Sequence, residues 1–255
     1  MDLEDRVPAG VGVKSLEILL DPQDVARRVA ERFVRAATLA SAIRKRFTVA
    51  LAGGASPRDA YQLLATREFA RQIDWDRVHV WWGDERCVSP EDPQSNYRMA
   101  RESLIDKVPI PSKQVHRIRG EDPPVDAAAA YEDSLRESFG FNDRLDLILL
   151  GLGKEGHTAS LFPGQAAVSE KVRWVLAERI GLLGIWRITL TPGFITRARE
   201  IIFIVTGAGK AASFSRVYQE ERGREISPAA IIARRAKRVR WLVDRAAASE
   251  LEGER

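Results

Sequence analysis

The stretch Leu145–Gly164 reads LDLILLGLGKEGHTASLFPG and sets the interpretation of everything around it. An apolar run ends in three glycines within six residues, Gly151, Gly153 and Gly156. The same turn carries Glu155, His157, Thr158 and Ser160. An apolar run bounded by turn signals predicts a strand buried on both faces. Glycines straight after it allow a sharp turn and a close approach of backbone to a ligand. A base in that turn stands where open α/β sheets bind ligands, outside the carboxyl ends of the strands. The chemistry is expected here.

Working outward, the chain alternates helical and strand patterns. Asp21 to Arg44 predicts an amphipathic helix, with Asp21 as N-cap, Pro22 at the first helical position and Val25, Val29, Phe33 and Ala36/Ala37 at helical spacing. Phe47–Leu51 predicts a buried strand ending in Gly53-Gly54. Ser56-Pro57-Arg58-Asp59 then predicts a capped helix start, with Asp59 at the capping-box position. Val78–Trp82 predicts a strand running into Gly83-Asp84-Glu85-Arg86. Ser95 caps a helix through Met99 and Leu104, Gln114–Ile118 suggests a short strand, and Val125–Phe139 a helix. Beyond the central stretch, Val172–Ala177, Arg187–Leu190, Glu200–Val205 and Val239–Val243 predict strands, with a helix at Ala211–Gln219 and a short alanine-rich helix at the end.

This alternation predicts the α/β class, three layers α/β/α around a mainly parallel, Rossmann-like sheet, in one domain spanning residues 1–255. Four loops collect the unusual residues: Gly53-Gly54, Gly83 to Arg86, Gly151 to His157 and Gly207 to Lys210. Each follows a strand, so in a parallel sheet all four open on one edge and can line one crevice.

Composition narrows the partners. Forty Lys+Arg against 36 Asp+Glu give a net charge of only +4. The one dense basic run, Arg234 to Arg240, lacks interleaved aromatics and is expected to be a solvated helix end, with no nucleic-acid role. The single Cys87 excludes an internal disulfide framework. No segment approaches the ~20 apolar residues of a membrane span, and the acidic amino terminus is unlike a signal peptide. A cytoplasmic protein is expected, with no membrane partner, as a monomer or weak homo-oligomer.

Local physics singles out candidate residues. The Gly53-Gly54-Ala55-Ser56 loop leads into a helix amino terminus, whose N–H groups and dipole favour an anion. Arg86, beside Asp84 and Glu85, can pair bidentately with a phosphate or neutralise its neighbours. Lys210 follows Gly207-x-Gly209 at a helix start, without a Walker A pattern, so a nucleotide is not expected. His157 alone among three histidines lies in a glycine turn; His79 and His116 sit in strand-like runs and are expected to pack. An imidazole of ordinary pKa about 6.5 is mostly neutral near pH 7, as a general base must be, and Glu155 can orient it. Ser160 lacks the G-x-S-x-G elbow of a nucleophile and is expected to cap a helix. Trp81 and Trp82, on opposite faces of a strand, are both expected in the core, and Cys87 is expected to be structural. One histidine with scattered carboxylates is a poor metal-ligand set.

Together these segments resemble the 6-phosphogluconolactonase family related to the glucosamine-6-phosphate isomerases/deaminases. The matching segments are LAGGASP (Leu51–Pro57), WWGDERCV (Trp81–Val88), SNYRMA (Ser95–Ala100), GLGKEGHTASLFPG (Gly151–Gly164), RITLTP (Arg187–Pro192) and VTGAGKA (Val205–Ala211). The resemblance implies cofactor-free hydrolysis of 6-phospho-D-glucono-1,5-lactone to 6-phosphogluconate, the second step of the oxidative pentose phosphate pathway, with a small sugar-phosphate lactone as partner. It implies His157 as base with Glu155 beside it. A substrate and phosphate site is implied at Gly53, Gly54, Ser56, Asp84, Arg86, Asn96 and Lys210. The chain departs from the family at Glu155, where aspartate is usual, at TPGFIT (Thr191–Thr196) and at ERIGLLGIW (Glu178–Trp186).

Two rivals stay open. A glucosamine-6-phosphate deaminase on the same fold carries HIAFNEP after the histidine and a tyrosine after the DE pair, where this chain has HTASLFP and Arg86. A sugar-phosphate sensor on a related fold carries a helix-turn-helix ahead of the domain, whereas about twenty residues precede the first helix here.

Overall fold

The computed structural model describes residues 13–140, 143–181, 184–220 and 227–251. The expectations placed on the acidic amino terminus, and on Leu182 and Leu183 in the divergent ERIGLLGIW segment, lie outside the described residues.

The elements in chain order are β1 (Val13–Leu19), α1 (Pro22–Arg44), β2 (Phe47–Leu51), α2 (Ala55–Leu64), α3 (Arg67–Ala70), β3 (Val78–Trp82), β4 (Asp84–Arg86), α4 (Asn96–Ser103), α5 (Pro124–Phe139) and β5 (Leu147–Gly151). They continue with α6 (Ala166–Ser169), β6 (Val175–Ile180), β7 (Ile185–Leu190), α7 (Pro192–Ile195), β8 (Glu200–Val205), α8 (Ala211–Gln219), α9 (Pro228–Arg235) and β9 (Arg238–Asp244). A six-stranded sheet runs β1-β9-β8-β5-β2-β3, and every pairing in it is parallel. All five residues of β2 are buried. Successive side chains in a strand point to opposite faces, so that pattern means both faces are covered. The fold is α/β, with helices flanking a mainly parallel sheet.

Strand order explains the crevice. β8, β5, β2 and β3 are consecutive neighbours, and three of the four loops follow β8, β5 and β2 directly while the fourth follows β3. Their carboxyl ends therefore open side by side. Asp21 accepts from the backbone N–H groups of Gln23 and Asp24 and starts α1, as expected. Val25, Val29, Phe33 and Ala37 are buried along that helix. Trp81 and Trp82 are each 1% exposed, so both belong to the core. Arg234 and Arg235 occupy the last turn of α9.

Several expectations are corrected. No strand was expected ahead of α1, yet β1 pairs with β9 at the sheet edge, and its half-exposed pattern hides it from a search for apolar runs. The Asp84-Glu85-Arg86 loop is itself a strand. It pairs antiparallel with β7, and β7 with β6, so the strands predicted at Val172–Ala177 and Arg187–Leu190 form a second, three-stranded antiparallel sheet. In the predicted strand Gln114–Ile118 only Val115 bridges, to Val80. Residues 245–250 form turns, not a helix. α2 begins at Ala55 with Gly54 at the N-cap, and Ser56 does not cap it.

Candidate active site

The four loops line one cavity of about 650 Å³. Every residue anticipated for the site borders it: Gly53, Gly54, Ser56, Asp84, Arg86, Asn96, Glu155, His157 and Lys210. Four cationic side chains, Arg86, Lys154, Arg187 and Lys210, stand there with the carboxylates of Asp84 and Glu155. That excess of positive charge suits an anionic ligand.

His157 is held by its own turn. The Gly153 N–H donates to the His157 carbonyl at 2.8 Å, and Thr158 Oγ1 donates to the Gly151 carbonyl at 2.8 Å. A Cβ on Gly153 would stand 2.0 Å from His157 Cε1, so only glycine leaves room for the ring. His157 Nδ1 lies 3.0 Å from Glu155 Oε2. A carboxylate at Nδ1 holds the N–H there and leaves Nε2 as the basic atom. Phe162 stacks on the imidazole with 4.1 Å between centroids. Burial lowers the His157 pKa from its ordinary value, partly offset by Glu155, so the ring is neutral at neutral pH.

The GDER strand is fixed from below. Glu85 is buried and accepts from the backbone N–H groups of Arg86, Asn96 and Tyr97 at 2.8, 2.7 and 2.8 Å, and from the Ser95 hydroxyl at 3.0 Å. Burial pushes its carboxyl upward, and these four hydrogen bonds oppose that shift. The Glu85 carboxylate thus tethers the amino end of α4, where Ser95 is the N-cap. Asn96 turns its amide Nδ2 to the Asp84 carbonyl at 2.9 Å and to Asp84 Oδ1 at 3.2 Å. Its Oδ1 occupies the space beside Gly53, where a Cβ would come within 1.8 Å. Asp84 Oδ2 accepts from the Ser160 hydroxyl at 2.6 Å. Ser160 was expected to cap a helix; it is instead the buried link between β4 and the His157 turn.

Opposite these, the amino end of α2 has no side-chain cap among the described residues. Ser56 Oγ is hydrogen-bonded to Thr206 Oγ1, joining the loops after β2 and β8. Asp244 accepts from the Gly207 N–H at 2.9 Å and so anchors the turn that carries Lys210. Burial and then Lys154 lower the Lys210 pKa, and an incoming dianion would reverse the second effect.

Arg187, Lys154 and Thr206 border the cavity without having been singled out. Arg187 opens the RITLTP segment, but its place depends on the β4–β7 pairing, which no local pattern signals. His79 and His116 pack away from the site, linked at 3.2 Å, with His116 stacked on Trp81 at 4.0 Å. Cys87 is half-buried, and burial raises its pKa to about 11, which keeps it a thiol. Among the described residues no group of three His, Cys, Asp or Glu side chains could hold a metal ion, and no helix is long and apolar enough to cross a membrane.

A crevice at contiguous strand ends, with a histidine turn beside clustered cations, defines an α/β protein with an anion-suited site. The chain belongs to the glucosamine-6-phosphate isomerases/6-phosphogluconolactonase family, whose model matches residues 20–241. It is 36% identical over 243 residues to a 6-phosphogluconolactonase of Nostoc sp., covering 93% of this chain and 98% of that one. It is also similar in structure to the 6-phosphogluconolactonase of Trypanosoma brucei, with TM-score 0.82 and 24% identity over 94% of this chain and 99% of that one. A monomeric glucosamine-6-phosphate deaminase matches with TM-score 0.79 and 17% identity over 92% and 99%. At those identities the two structural matches establish the fold alone.

Proposed function

We infer that this chain hydrolyses 6-phospho-D-glucono-1,5-lactone to 6-phospho-D-gluconate, the second step of the oxidative pentose phosphate pathway, with His157 as general base. The observation that carries the role of His157 is its Nδ1 contact with Glu155 at 3.0 Å, at the rim of a cavity rich in cations. The substrate phosphate is anchored by Arg86, Lys210, Ser56 and the backbone at Gly53 and Gly54, with Asp84 and Asn96 holding those groups in register. Each charge-assisted hydrogen bond to phosphate contributes about 1.5–3 kcal/mol. His157 Nε2 takes a proton from water as the water oxygen bonds to C1, then returns it to the ring oxygen as the C1–O bond breaks. Glu155 stabilises the imidazolium between those steps.

The hydrolase reading is favoured over the isomerase by sequence at the site itself. Arg86 stands where a deaminase would carry tyrosine, and the chain after His157 reads TASLFP. The reading also includes a single functional unit over the whole chain, a cytoplasmic setting, no nucleic-acid partner, and a monomer or weak homo-oligomer.

The test is turnover of freshly generated 6-phosphogluconolactone, with glucosamine 6-phosphate in parallel. Acceleration over spontaneous opening is expected for the lactone alone, and His157→Ala should lose about 10²–10⁴ in kcat. Turnover of the amino sugar instead, or a His157→Ala variant at full rate, overturns the reading.

A further inference from the structure

We propose that Arg187 is the electrophilic residue of the lactone opening, its guanidinium donating to the C1 oxygen that becomes negative as water adds. This rests on the hydrolytic reading above and extends it to a residue that neither the motifs nor local spacing singled out.

Three features of the fold place Arg187 in that role. In the β4–β7 ladder Arg187 lies directly opposite Arg86, and both border the cavity. Like charges directly across a ladder repel, and an anion between the two guanidinium groups would relieve that repulsion. Among the described residues neither guanidinium forms an ion pair, and the Nε of each is buried with no hydrogen-bond partner.

The two arginines are not equivalent. Arg86 Nη1 is spent on the Gln94 carbonyl, which ties it to the loop ahead of α4. The hydrogen bond that Arg187 makes is a long one, Nη1 to Ser160 Oγ at 3.5 Å. Ser160 belongs to the turn that carries His157. Arg187 Cζ also lies 5.6 Å from the centroid of Phe162, the ring that stacks on the His157 imidazole. Arg187 is thus fastened to the catalytic turn from the second sheet. Lys210 and the amino end of α2 follow β8 and β2 of the first sheet. The phosphate falls to the latter groups and Arg86, and the reacting carbonyl to Arg187.

The electron and proton balance is simple. Water oxygen bonds to C1, its proton passes to His157 Nε2, and the carbonyl π pair moves onto the C1 oxygen, where Arg187 N–H groups stabilise it. Collapse restores the carbonyl, breaks C1 to the ring oxygen, and delivers the proton from His157 to that oxygen. Donors aimed at developing charge are worth far more in a shielded site than in water.

Arg187→Gln tests this by separating kcat from binding. A loss of about 10²-fold or more in kcat is expected from removing an oxyanion donor, with KM and inhibition by inorganic phosphate held within about twofold. Added guanidinium ion at millimolar concentration should restore part of the rate in Arg187→Ala, a rescue that a purely structural role would not show. Arg187→Lys, which keeps the charge and packs similarly, should fall between. Unchanged kcat, or weakened phosphate inhibition with kcat preserved, overturns the proposal. Failure of the wild-type protein to accelerate lactone opening removes the hydrolytic reading itself; a competent wild type with full-rate Arg187 variants removes this inference alone.

Discussion

The Ser160 hydroxyl, fully buried, donates to Asp84 Oδ2 at 2.6 Å across 76 positions of sequence. It is the bond that ties the strand carrying Arg86 to the turn carrying His157, and so sets the distance between the proposed anchor and the proposed base. Removing it leaves a buried carboxylate oxygen without that donor. Ser160→Ala is expected to cost about 1–3 kcal/mol in urea denaturation, with kcat falling further than the loss of stability explains. A fully active, equally stable Ser160→Ala would show that the bond is incidental.

The His157–Glu155 pair predicts a pH profile. Burial lowers the imidazole pKa and Glu155 raises it, so the acid limb of kcat/KM should lie below the ordinary value near 6.5. Glu155→Gln removes the raising influence, and the limb should move further toward acid. Because the Glu155 side chain is 63% exposed, solvent screens it, and kcat should fall about tenfold rather than the ~10⁴ seen when a buried triad aspartate is neutralised. A limb that stays in place or moves upward contradicts the pairing.

Gly153 offers a test of positioning without chemistry. Its backbone is not in the left-handed region, so alanine fits the chain there. The added Cβ, 2.0 Å from His157 Cε1, must push the ring aside. Gly153→Ala should keep a near-native Tm while kcat/KM drops about 10²-fold, the scale of an ångström-level misplacement. Crystallography of the variant should find the imidazole displaced.

Stability toward acid should report the other two histidines. Burial lowers both His79 and His116, the latter to about 4. Between that value and 6.5 the unfolded chain binds more protons than the folded one, so stability rises with pH across this window. Tm should decline as pH falls from 6.5 toward 4. His116→Phe keeps a ring against Trp81 and should flatten that decline; an unaltered slope in differential scanning calorimetry would locate the acid sensitivity elsewhere.

How much of this was legible varied with the kind of interaction. β2, β3, β5 and β8 announce themselves because strands covered on both faces must be apolar throughout. β1 mixes polar and apolar residues, with Lys14 and Glu17 at a sheet edge, so it lacks that signature. β4 is three charged residues whose pairing with β7 runs through the backbone, and no side-chain pattern encodes it. Ser56 borders the cavity beside Gly53 and Gly54, but its hydroxyl is shared with Thr206, a partner 150 positions away.

The run Leu145–Gly164 alone determined that a buried strand ends in a glycine turn holding one histidine, since burial, turn formation and the carboxylate at His157 all act within a few residues. Tertiary structure alone decided what that histidine stands beside. The order β8-β5-β2-β3 brought the loops to one edge, and the second sheet set Arg187 across from Arg86. The physical reason is range: strand burial and turn geometry are local, whereas register between distant strands depends on backbone hydrogen bonds that any residue can make.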